Sequence, residues 1–144
     1  ATLVGFALTG DVLIALQVGD GDLMLGYPDG GIAAPIPPDS GLRGEETYSL
    51  CLPDAVARFR SAHVWRGDAG WPDFICATTD GIAKSFHSDT GFVEAIGQLR
   101  RNALADWAGL VEALPDWLSE LSEHGSGDDA TIIIALDANS TRGS

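Results

Sequence analysis

Basic residues are scarce in this 144-residue chain: 8 Lys and Arg stand against 21 Asp and Glu, a formal net charge of −13. A surface that acidic repels phosphate backbones and anionic lipid headgroups, which argues against nucleic-acid and membrane partners. It also concentrates divalent cations around itself. Long apolar runs are absent as well, and none approaches the ~18 residues needed to cross a bilayer. No basic segment followed by an apolar stretch and a cleavage site opens the chain, so no secretory signal is read.

Cysteine is limited to Cys51 and Cys76, with no CxxC pair. Cys76 lies in the apolar run DFICATT, so a buried, reduced thiol and a cytoplasmic location are expected. The histidines, His63, His87 and His124, lack a ligand spacing such as HExxH and read as surface or packing residues. Neither a GxSxG elbow nor a Cys-x5-Arg signature occurs, so nothing points to a serine or cysteine nucleophile.

What is present is a core-forming composition: 45% of residues are hydrophobic, enough at this length for about one domain. TLVGFALT (2–9) and VLIALQV (12–18) are apolar runs separated by Gly10-Asp11, the signature of a tight hairpin. A third strand is expected at 22–27, with PDGG turning the chain at 28–31, so that the opening strands read as a meander. Residues 33–46 hold three of the seven prolines and read as an irregular loop. TYSLCL (47–52) and SAHVWRG (61–67) are short-strand candidates, and DFICATTDG reads as a buried strand ending in a turn at Asp80-Gly81. From Phe92 to Leu121 apolar residues recur at threes and fours, one face of an amphipathic helix, with a division or kink expected at Pro115. Trp107 and Trp117 fall on that apolar face. A last strand, ATIIIAL, follows, and strands combined with inserted long helices make the chain α+β.

Three acidic turns stand at strand ends: VGDGD (18–22), ATTDG (77–81) and GSGDDAT (125–131). Any one is an ordinary turn, because Asp-Gly is a common turn pair. Converging on one sheet edge, they would form an oxygen-rich site for a hard ion such as Mg²⁺ or Mn²⁺.

The order VLIALQVGDGDLML, DFICATTDGIAK, helical insert, GSGDDATIIIAL resembles the metal-dependent serine/threonine phosphatases of the PPM, or type 2C, family. The likeness is strongest to compact bacterial members, in which a GDG strand precedes a GE…TY.L segment, here GEETYSL at 44–50. It implies an αββα sandwich of mostly antiparallel sheets flanked by helices. It also implies that Asp80, of the TDG motif, and Asp128, of the GDDAT motif, bind two Mn²⁺ or Mg²⁺ ions. A third, weaker ion site is implied at Asp20, together with Asp80. Asp129 receives no ligand role and, with Thr131, shapes the turn. The implied activity is hydrolysis of phosphomonoesters on phosphoserine and phosphothreonine proteins by a metal-activated water. Arg43, Arg58, Arg60, Arg66 and Lys84 are candidates for contact with substrate phosphate, with none assigned.

The family's domain begins well upstream of residue 1, where the resemblance places a phosphate-contacting arginine and a DGxG aspartate that bridges two metals. Residues 1–137 therefore read as the C-terminal part of the domain, and 138–144 as a disordered tail. The expected partners are a phosphoprotein substrate and an N-terminal segment of the same domain, in the same polypeptide or as a second chain. Two readings from other classes stay open: a pseudophosphatase that binds phosphoprotein without hydrolysis, and an assembly module whose exposed strands pair with another chain.

Overall fold

The computed structural model describes residues 1–37, 48–67 and 70–139; Arg43, most of the proline-rich loop, the start of GEETYSL and positions 140–144 lie outside the described residues. Strands β1 (Leu3–Leu8), β2 (Val12–Val18) and β5 (Arg60–Trp65) form one antiparallel sheet in the order β1-β2-β5. Strands β3 (Asp22–Gly26), β4 (Ile32–Ala33), β6 (Phe74–Thr78) and β7 (Ile132–Leu136) form a second, ordered β4-β3-β6-β7. A short helix, α1 (Asp80–Ala83), leaves β6 directly; α2 (Asp89–Ala105) and α3 (Trp107–Leu121) follow.

Alternation decides how these layers pack. Leu13 and Ala15 of β2 face Leu23 and Leu25 of β3 and Ile75 and Ala77 of β6, and this shared apolar layer joins the two sheets. The intervening residues Met24, Phe74 and Cys76 point to the opposite face of the second sheet. There they meet Phe92, Ile96, Leu99 and Ala103 of α2, buried at spacings of three and four. β6 is buried along its whole length, because both of its faces are covered. On the outer face of the first sheet Leu16 and Trp65 remain exposed. The result is an α+β fold of two packed antiparallel sheets flanked by helices.

Four expectations need correction. The opening strands are not a meander, since β3 pairs with β4 and β6 and never with β2. The buried side-chain amide of Gln17 donates to the carbonyls of Gly19 and Gly21, holding a turn that carries the chain from one sheet to the other. The part of TYSLCL that is described, residues 48–52, is coil and turn rather than strand. Leu50 and Leu52 are exposed there, so no buried face rewards an extended ladder. The helical stretch divides at Asp106, not at Pro115. Asp106 is extended (φ −153°, ψ 91°), and its Oδ1 accepts from the Gly109 amide at 3.0 Å to cap α3. Pro115 stays inside α3 on the exposed side, where water can serve the carbonyl of Val111, four residues back, that proline leaves without an amide. Trp107 is exposed at the start of α3, whereas Trp117 packs against the core between helices and sheet.

Cys76 is fully buried, and burial, followed by the nearby Asp22 charge, pushes its thiol up to about 12. A thiol so rarely ionised is a packing group without reactivity. His63, His87 and His124 are all exposed.

Candidate metal site

The junction β6–α1 is the foundation of the site. Thr79 pairs with Thr131 through both backbone and side chain: its amide donates to the Thr131 carbonyl at 3.1 Å, and the Thr131 amide donates to Thr79 Oγ1 at 2.9 Å. Thr79 Oγ1 also donates to the Asp129 carbonyl at 3.2 Å, so the strand-end turn before β7 is stitched to the strand end of β6. The serines of the preceding loop complete the seam. Ser126 Oγ donates to the Gly81 carbonyl at 2.8 Å, the Asp128 amide donates to Ser126 Oγ at 3.2 Å, and Ser122 Oγ donates to the Asp128 carbonyl at 3.1 Å. Gly81 permits this closeness, because a Cβ there would stand 2.7 Å from the Asp129 carbonyl oxygen and 3.2 Å from Asp128 Cβ. The glycine of the TDG triplet is thus a spacing device that lets the Asp128 loop lie against α1.

The consequence is that Asp80 and Asp128, 48 positions apart in sequence, share one cation. Lys84 Nζ donates to Asp80 Oδ2 at 2.5 Å and stands 3.9 Å from Asp128 Oδ2. The site is open to solvent: the side chains of Asp80, Asp128 and Lys84 are 30%, 57% and 56% exposed. Burial pulls the Asp80 carboxyl upward. The hydrogen bond and charge of Lys84, the neighbouring Asp20 side chain and the Gly81 amide outweigh it and hold Asp80 below the ordinary carboxylate range. Asp20 thereby joins the pair from the turn between β2 and β3.

Sequence reasoning passed over two members of this group. Asp22 begins β3 opposite Thr78, and its carboxyl is raised to about 6, first by burial and then by the charges of Asp20, Asp80 and Asp89. The available signal was alternation: Asp22 shares a face with Met24, which places a charge on the core side of a strand. Lys84, a phosphate-contact candidate by sequence, stands four residues after Asp80 on a helical turn, the usual ion-pair spacing. The other described candidates for phosphate contact have partners of their own. Arg58 bonds Asp54 and Tyr48, Arg60 donates to the Pro37 carbonyl, and Arg66 donates to the Gly10 carbonyl and stacks on Trp71. A groove of about 350 Å³ lined by Leu8, Arg66, Trp71 and Asp73 opens at the far end of β6 from Asp80.

The donor set suits a hard divalent cation, because all of its ligating atoms are carboxylate oxygens and it already holds an ammonium between two of them. Among the described residues the buried hydroxyl of Thr78, opposite Asp22, has no hydrogen-bond partner. Among the described residues no three His, Cys, Asp or Glu side chains are arranged to hold a metal ion, so the carboxylates gather without closing into a cage.

The crowding has a measurable consequence. Asp22 has an ordinary value of 3.8 and a folded value of about 6, so between these values the folded state binds the extra proton. The stability contributed by the protonated form is present below pH 3.8 and is lost as pH rises through about 6. Asp22→Asn is therefore expected to raise Tm at pH 7–8 in EDTA and to lose that advantage near pH 4. Equal advantages at both pH values would show that Asp22 is not under charge stress.

The chain belongs to the protein phosphatase 2C family, whose model matches residues 1–119. That span holds Asp20 and Asp80 and stops short of Asp128, which enters the group through the fold. No curated protein matches the chain. Among the described residues no helix is long and apolar enough to cross a membrane.

Proposed function

We propose that this chain carries metal-binding residues of a Mg²⁺- or Mn²⁺-dependent serine/threonine phosphoprotein phosphatase. The observation that supports it most directly is the meeting of Asp80 and Asp128 at one cation position, shared through Lys84. In this reading Asp80 and Asp128 hold the ions, and Asp20 with Asp80 serves a third. When bound, the ions supply an activated water and neutralise charge developing on the phosphoryl oxygens. The protein's own part is to fix the carboxylates. Thr79, Ser126 and Gly81 do so by pinning the β7 turn to the β6 end, which leaves little reorganisation for binding. The exposed setting suits a substrate phosphate on a protein surface rather than a small molecule in a closed pocket.

The test is release of phosphate from a phosphoserine peptide by the full-length polypeptide. Hydrolysis is expected with Mn²⁺ or Mg²⁺ and is expected to stop in EDTA. A second reading, a phosphoprotein-binding module without hydrolysis, is favoured by one observation: Lys84 already neutralises Asp80 and Asp128. Phosphopeptide binding without phosphate release at saturating Mn²⁺ would select it.

A further inference from the structure

Lys84 is the only lysine in the chain, and the fold sets it on the carboxylates implicated above. Its bond to Asp80 is local, an acid followed four residues later by a base. Its approach to Asp128, at 3.9 Å, is not local and exists only because the loop before β7 is drawn against Gly81. The Lys84 side chain is 56% exposed, so no packing holds the ammonium and it can leave without opening the core.

We infer that Lys84 is a built-in counterion, occupying the cation position between Asp80 and Asp128 and competing with a divalent ion for it. The inference rests on the metal-dependent reading given above. Without a metal, Asp20, Asp22, Asp80 and Asp128 bring like charges together, and among the described residues Lys84 supplies the positive charge in the ion pairs of the site. A divalent ion on Asp80 would stand within a few ångströms of the ammonium that bonds its Oδ2. Two cations a few ångströms apart repel, even in water. Binding therefore requires the lysine to swing out, and the lost ion pair lowers metal affinity. The site is in this way kept assembled when empty and made less retentive of ions when filled. An exposed pair contributes modestly, so removing the competing charge is expected to tighten binding about tenfold.

Calorimetric titration of the chain with Mn²⁺ tests this in three proteins: wild type, Lys84→Gln and Lys84→Arg. Lys84→Gln is expected to bind Mn²⁺ about tenfold more tightly than wild type. Lys84→Arg, which keeps the charge, is expected to return the affinity to the wild-type value. Matching far-UV circular dichroism checks that all three are folded, as the exposure of the side chain leads one to expect. Equal or weaker binding by Lys84→Gln would overturn the role given to Lys84 while leaving the metal site in place. Failure of all three to bind Mn²⁺ would overturn the metal-dependent reading, and this inference with it.

Discussion

Asp80→Asn in the full-length polypeptide is expected to abolish Mn²⁺-dependent phosphate release and to leave Tm almost unchanged. Three features separate the two effects. An amide oxygen carries no net charge and is a poor ligand for a hard cation, so a metal held as proposed would lose a donor central to the group. Asp80 is also the partner that Lys84 bonds directly, so replacing it removes the ion pair at the centre of the group. Stability is affected little, because the Lys84–Asp80 pair is partly exposed and such pairs contribute about 0–1 kcal/mol. Loss of one negative charge beside Asp20 and Asp22 acts in the opposite direction. Phosphate release, Mn²⁺ titration and a melting curve on the same preparation make the comparison. Undiminished hydrolysis would remove Asp80 from the site; a collapsed melting transition would make its role structural.

The largest loss of stability is expected at a different place. Arg100 of α2 meets Asp73, just before β6, through Nε–Oδ1 at 2.7 Å and Nη2–Oδ2 at 2.5 Å, and both side chains are under 10% exposed. The guanidinium reaches the aspartate by passing β3 at Gly26, where a Cβ would stand 2.5 Å from Arg100 Cδ. Arg100→Ala leaves a carboxylate buried without a partner, which costs about 3–5 kcal/mol. That is a large share of the ~5–15 kcal/mol that holds a typical domain together. A fall in Tm of roughly 10 °C or more follows. Replacing both partners, Asp73→Leu with Arg100→Met, is expected to recover most of the loss, because no buried charge then remains. Urea denaturation of the two single variants and the double variant measures the coupling. Additive losses would show that the pair is not the source.

Much of the fold was readable from local pattern. The β1–β2 hairpin announces itself by two apolar runs around Gly10-Asp11, and β6 by an unbroken apolar segment that only a doubly covered strand can bury. The apolar face of α2 is equally plain, since Phe92, Ile96, Leu99 and Ala103 follow the helical period. Pattern misled where two local rules competed. Pro115 is the residue that should end a helix, yet Asp106 ends α2, because an aspartate that can cap the next helix compensates the break it makes. Proline on a solvated face forfeits a single bond.

The sequence by itself determined the α+β character, the acidic surface, and the positions of Asp20 and Asp128 in turns beside strands, since these follow from spacing along a few neighbouring residues; Asp80, expected in a turn, instead opens α1. Only the tertiary structure decided which sheet β3 joins, because that depends on the buried amide of Gln17 holding the turn at Gly19 and Gly21. It likewise decided that Asp128 reaches Asp80, through a glycine narrow enough to admit the Asp129 carbonyl, and that Lys84 lies between the two carboxylates. The raised carboxyl of Asp22 belongs to the same class, for a charge is stressed by what surrounds it in space, and its neighbours Asp80 and Asp89 stand 58 and 67 positions away in the chain.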